Sequence, residues 1–274
     1  MVESIYAGTD SEFDNAWWPE SIPTLPSETG YMRAMITQHI VSKTVRIPRM
    51  LRLLRELALR PENPNLRSKT EVLARSLYDY DNALHPSLLE RPPASHDHGN
   101  RTTNPYADAS SDSSRRLVIT LMYDAYRVLI CGAIQNLRSI GRNLLLDIDL
   151  GAVQLEDVEA ARKIAVTAKL ALAPSPDVPW LALRVITPLL ISYGTWYRIE
   201  QRMQPADQSG NSSREASVMK AECSEMLNRA LMRWNRNNQV FSIEKTAMVF
   251  AGGPLLPEMS SRNVDWEKVL RDGS

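Results

Sequence analysis

Between Leu117 and Ile134 only Asp124 and Arg127 carry a charge. That run constrains the fold more than any other part of the chain. Val118, Leu121, Met122, Ala125, Leu129, Gly132 and Ala133 recur at helical spacing. Ile119, Tyr123, Tyr126, Val128 and Ile130 make the opposite side hardly more polar. A helix that is apolar nearly all round is wrapped by other helices. A membrane span needs roughly 20 largely uncharged residues, and an Asp and an Arg three apart on one face suit a pair inside a protein better. The segment Arg115 to Gly141 is therefore expected to be the central helix of a helical bundle.

Other segments supply its partners. Ile47, Met50, Leu51, Leu54, Leu57 and Ala58 form one stripe after Pro48 interrupts or restarts an earlier helix that begins near Ser27. The opposite face carries Lys43, Arg46, Arg49, Arg52, Arg55 and Arg60 against one acid, Glu56, and is expected to be a solvated surface. Pro61 and Pro64 are expected to end this segment, and a second helix to cover Leu66 to Leu84 with Val72, Leu73, Ser76, Leu77 and Tyr80 inward. Residues 91–114 are polar and Pro-rich, the pattern of a surface loop. Beyond the central helix, Glu156 or Asp157 is expected to start an alanine-rich helix reaching Leu172. Asp177 could cap the next, an apolar helix from Trp180 to Tyr197 that contains Pro188. After a polar loop at 205–213, Met219, Cys223, Met226, Leu227, Ala230, Leu231 and Trp234 mark a final amphipathic helix.

Strand-like alternation is absent. The expected architecture is all-α, a single bundle of seven or eight helices. It comprises an irregular segment at 1–30 that includes Trp17 and Trp18, a helical domain at 31–255 interrupted by loops at 91–114 and 205–213, and a polar tail at 256–274.

Composition narrows the function. Lys plus Arg and Asp plus Glu both number 32, so no net charge points to nucleic acid or to a basic partner. Neither a secretory signal nor a membrane anchor is legible, which leads to an expected location in nucleus or cytosol and makes the sequons at Asn100 and Asn211 chance matches. Cys131 and Cys223 both fall on apolar helix faces and are read as buried thiols. His96-Asp97-His98 lies in a polar stretch with no later histidine to complete a metal site, and His39 and His85 stand apart from it. Asp147-Ile-Asp149 lacks the third carboxylate of a magnesium-binding run and sits where capping explains it. No nucleophile elbow, phosphate loop or dinucleotide fingerprint is present. No catalytic residue, metal or cofactor is therefore expected. Gly132 inside the central helix is unfavourable by about 1 kcal/mol relative to Ala, which close packing of a neighbouring helix, or a small cavity, would explain. Tyr126, Arg127, Trp196 and Tyr197 are polar-tipped groups on apolar helices, either core residues or the lining of an effector pocket.

Two blocks carry a resemblance. Leu77-Tyr78-Asp79-Tyr80-Asp81-Asn82-Ala83-Leu84, a polar break, and then Leu121-Met122-Tyr123-Asp124-Ala125-Tyr126-Arg127-Val128-Leu129-Ile130 are similar to blocks in the regulatory region of fungal-specific transcription factors. Ala161-Arg162-Lys163-Ile164 to Pro174-Ser175, with the apolar helix that follows, looks like the next two blocks. The resemblance spans roughly residues 12–255. It implies a helical middle domain of the kind found in binuclear zinc cluster proteins, which tunes an activator, dimerises or senses a metabolite in the control of metabolic or secondary-metabolite genes. The six-cysteine cluster that reads DNA in such proteins is missing, so direct nucleic-acid binding by this chain is not expected. A truncated gene product, a separate regulatory subunit or a relic beside a biosynthetic gene cluster would each fit that departure. Expected partners are proteins, a second copy of the chain among them, and a small-molecule effector. The alternative reading is a helical enzyme of secondary metabolism with a pocket near Arg127.

Overall fold

In a computed structural model, residues 10–11, 44–83, 105–141, 143–172, 181–202, 211–233 and 243–250 are described. They form seven helices: α1 (Ile47–Leu59), α2 (Pro64–Ala83), α3 (Pro105–Ile140), α4 (Leu150–Ala171), α5 (Leu181–Arg202), α6 (Asn211–Arg233) and α7 (Ile243–Phe250). Among the described residues there is no strand. One hydrophobic core takes residues from all seven helices, so the chain is an all-α domain of the expected class. The expected helix from Ser27, the Trp17-Trp18 segment, all four histidines, Asp177, Trp234 and the tail from 251 lie outside the described residues.

α3 is the central element. It packs against α1, α2, α4 and α5, and from Leu121 to Leu137 nearly every side chain is buried. Leu117–Ile140 is long and apolar enough to cross a membrane, but 67% of its most apolar window is covered by the rest of the protein. A second hub, α5, packs against α3, α4, α6 and α7. It runs through Pro188 as one element and buries Val185, Leu189, Leu190, Ile191 and Trp196. α4 meets its neighbours through Ala160, Ala161, Ala165, Ala168 and Ala171, whose short side chains let helix backbones approach closely.

Several boundaries differ from the sequence reading. α3 begins at Pro105, so 105–114 is helix and not loop. A lack of apolar side chains shows that a segment has no core to join, not that it cannot be helical, and proline is favoured at a first helical position. The same holds for α6, which starts at Asn211 inside the expected 205–213 loop. Pro64 opens α2 and does not end a segment; Asn63 caps it, accepting from the Leu66 N–H at 3.1 Å. Pro48 likewise occupies the first turn of α1. The inward face of α2 is Thr70, Ala74, Leu77 and Tyr78, while Val72 and Ser76 are exposed. Ala58 also points outward at the end of α1. α4 begins at Leu150, with Asp149 as the cap: its carboxylate accepts from the Gly151 N–H at 2.8 Å. Glu156 and Asp157 lie mid-helix. α7 follows the helix expected to be the final one and buries Ala247, Val249 and Phe250.

The connection from α3 to α4 is tied down at several points. Leu145 has φ 53°, the left-handed region that a branched side chain seldom adopts, and its side chain is fully buried. Its N–H donates to Glu71 Oε1 of α2 at 3.0 Å. Arg138 donates to the Leu144 carbonyl at 3.0 Å, and Arg75 of α2 pairs with Asp147.

Candidate functional site

Inside an apolar bundle a charged group is tolerated only when paired and hydrogen-bonded. Such an assembly lies where α3, α4 and α5 meet. Asp157 of α4 is 2% exposed. Gln135 of α3 donates from Nε2 to Oδ2 at 2.8 Å, and Thr195 of α5 donates from Oγ1 to Oδ1 at 2.8 Å. Arg198, one turn further along α5, places Nη2 at 2.8 Å from Oδ2 and 3.1 Å from Oδ1. The same nitrogen lies 3.2 Å from Thr195 Oγ1. Both oxygens of the carboxylate are thus engaged by groups from two other helices. The i, i+3 spacing of Thr195 and Arg198 puts them on one face of α5, and the position of Gln135 on α3 closes the cluster from the third side.

The guanidinium needs space, and Gly132 provides it. A Cβ built at Gly132 would stand 3.0 Å from Cζ, Nη1 and Nη2 of Arg198. The mid-helix glycine therefore answers to the close approach of a flat cation, the packing explanation, with a side chain and not a helix backbone as the neighbour. Arg198 Nε and the nearby Trp196 Nε1 are enclosed without a hydrogen-bond partner among the described residues.

The four groups expected either in the core or around an effector pocket sit on α3 and α5. Tyr126 is buried, with its hydroxyl 3.4 Å from the Leu77 carbonyl of α2. Arg127 forms an ion pair with Glu156 of α4 at 3.2 Å and lies 5.9 Å from the Tyr123 ring centroid. Trp196 is buried, and Tyr197 is half-buried with the Lys220 ammonium of α6 5.4 Å from its ring centroid. Consecutive helix positions project about 100° apart, so Tyr126 and Arg127 turn to different neighbours. Asp124 is buried and has polar interactions of its own. One partner of Arg127, Glu156, lies in the next helix, which spacing within α3 could not reveal.

Both cysteines are buried and neither is in a disulfide. Burial pushes the Cys223 thiol up to about 11, with the Ser192 hydroxyl, 3.7 Å away, offsetting part of the shift. The same hydroxyl lies 3.1 Å from the Ala161 carbonyl and donates to it, so Ser192 joins α5 to α4. Among the described residues no group of three or more His, Cys, Asp or Glu is placed to hold a metal ion.

The outer surface holds a different feature. α1 and α2 enclose an open groove of about 660 Å³. Among the described residues its polar walls include Arg46, Arg49, Arg52, Arg60 and Lys69 against the one acid Glu56, and its apolar lining is Leu53, Leu66, Val72 and Leu73. The basic face of α1 is thus gathered into a concave site. Arg55 departs from it, donating from Nη2 to the Val249 carbonyl of α7 at 2.9 Å. Burial pushes the Arg55 pKa down, yet a guanidinium stays protonated at physiological pH. The clustering of arginines was legible in the sequence; the concavity was not, because Lys69, Val72 and Leu73 come from a different helix. Comparison of the chain with protein-family models, curated proteins and solved structures finds no match.

Proposed function

We propose that this chain is a regulatory domain of the fungal transcription factor type, acting through contacts with other proteins and not through bond-making chemistry. In this reading it works in the nucleus and adjusts the expression of metabolic or secondary-metabolite genes. The observation that carries the reading is the engagement of Asp157: the most buried carboxylate of the described core has both oxygens held by Gln135, Thr195 and Arg198. A carboxylate so occupied fixes three helices relative to one another, and a rigid helical body of that kind works through its surface. The pairing of Arg127 with Glu156 and the orientation of Tyr126 toward α2 support the same view.

Fusion of the full chain to a heterologous DNA-binding domain tests this in a fungal host carrying the matching reporter. Reporter output should differ from that of the DNA-binding domain alone. Identical output from a fusion shown to be folded, abundant and nuclear would overturn the proposal.

A further inference from the structure

From the geometry of the α1–α2 groove, we infer that it is a docking site for an acidic peptide segment with apolar anchors, supplied by a partner protein. The inference rests on reading the chain as an interaction domain and adds the chemical class of what it holds.

Charge is the first argument. The chain as a whole is neutral, with 32 basic and 32 acidic residues. Among the described residues that line it, the groove nevertheless collects five cationic side chains and a single carboxylate. Arg46 and Arg49 have polar interactions within the chain, and Arg52 pairs with Glu56 and Asp10. Arg60 and Lys69 are exposed and form no ion pair among the described residues. Concentrated like charge beside low-dielectric walls raises the local concentration of an oppositely charged partner and speeds its arrival.

The chain itself supplies a second argument. Asp10 lies far from α1 in sequence, yet its carboxylate sits on Arg52 through a two-pronged contact, Nε to Oδ1 at 2.8 Å and Nη2 to Oδ2 at 3.0 Å. That is the fork geometry by which arginine recognises carboxylates. A groove arginine therefore already accepts an acidic side chain from a remote segment.

Shape decides the class of partner. Arg46 and Arg60 bracket α1 and are about 21 Å apart along a helix that rises about 1.5 Å per residue. Cations strung over that length match an extended polyanion and not the single convergent anion of a small phosphorylated ligand. The floor then separates peptide from nucleic acid. Leu53, Leu66, Val72 and Leu73 line the groove, and Val72 is 65% exposed, the most solvent-accessible apolar group in it. A phosphate backbone gains nothing from such a floor, whereas a peptide bearing Leu or Phe between its acids buries it. Peptide recognition in such a groove uses apolar anchors for affinity and rim charges for steering.

The test uses the purified full chain and fluorescence anisotropy. The probe is a labelled peptide alternating Asp and Glu with Leu and Phe, compared with labelled poly-glutamate and labelled duplex DNA. The acidic, apolar-anchored peptide should bind most tightly, and R60E/K69E should weaken it by about tenfold or more, while R229E on the remote α6 surface leaves it unchanged. V72D, at an exposed position, should also weaken it and serves if the double variant does not fold. Binding no tighter than poly-glutamate, tighter binding to DNA, or indifference to R60E/K69E and V72D would each overturn the inference. Reporter output identical to that of the DNA-binding domain alone, with peptide binding intact, would sink the transcriptional reading and leave the groove assignment standing.

Discussion

The guanidinium of Arg198 lies flat over Gly132, so close that a Cβ on the glycine would meet Cζ and both terminal nitrogens at 3.0 Å. The cation cannot easily retreat, because Asp157 and Thr195 hold it from the other side. Gly132→Ala therefore sets two effects against each other. Helix propensity favours alanine by about 1 kcal/mol, and displacement of a hydrogen-bonded buried cation opposes it by more. The substitution should destabilise the wild-type chain by about 1–2 kcal/mol and stabilise a D157N/R198M background, a reversal of sign that reports direct coupling. Urea unfolding of the four proteins measures it; additive effects would show that the guanidinium and the glycine do not sense each other.

Asp157 and Arg198 form a buried pair whose partners cannot be removed singly without leaving a charge unmatched in the core. D157A or R198A should each destabilise by about 3–5 kcal/mol. D157L/R198M, which removes both charges and restores volume, should lose far less. Equilibrium denaturation discriminates the outcomes. A single variant within about 1 kcal/mol of wild type would mean that the pair is solvated.

Cys223 combines full burial with a thiol pKa pushed up to about 11, and Cys131 is 1% exposed. The thiolate is the reactive species, so neither cysteine should react with an aromatic disulfide reagent at neutral pH in the folded chain. Both should react once the chain is unfolded. Rapid modification of the native protein would contradict the packing of α3 or α6.

Lys220 and Tyr193 predict an alkaline limit to stability. Burial raises the Tyr193 pKa above its ordinary 10.0, although Lys220 pulls it the other way. For Lys220 burial opposes the charge, but the hydrogen bond it donates to Glu200, with Tyr193 and Glu244 nearby, outweighs it and raises the pKa above 10.5. Both folded-state values are raised, so the stability they contribute is complete below the unfolded values and disappears as pH climbs through the folded ones. Thermal unfolding followed from neutral to alkaline pH should show a Tm that falls once the ordinary tyrosine value is passed. In K220M that fall should be shallower; an unchanged profile in that variant would remove Lys220 from the explanation.

The sequence carried the class and the centre of this fold. A run with only two charges can be read as a wrapped helix because burial is set by composition on all sides of one element, and α3 is that element. The amphipathic register of α6, the buried alanines of α4 and the burial of both cysteines were legible for the same reason. Starts of helices were read poorly at Pro105, Leu150 and Asn211. Polar residues at a helix end look like loop unless a capping partner identifies them. The inward face of α2 was misplaced because Val72, a residue that usually signals a core, faces the groove.

What the chain's own order of residues determined is which segments are helical and oily enough to share a core; helix periodicity and hydrophobicity are local properties that survive in one dimension. Only the tertiary structure decided which polar groups meet. Gln135, Asp157 and Arg198 belong to three helices, as do Arg127 and Glu156 to two, and the groove combines arginines of α1 with a lysine and a valine of α2. Such contacts depend on the rotation and axial offset of each helix against its neighbour, quantities that emerge only when the whole core packs at once.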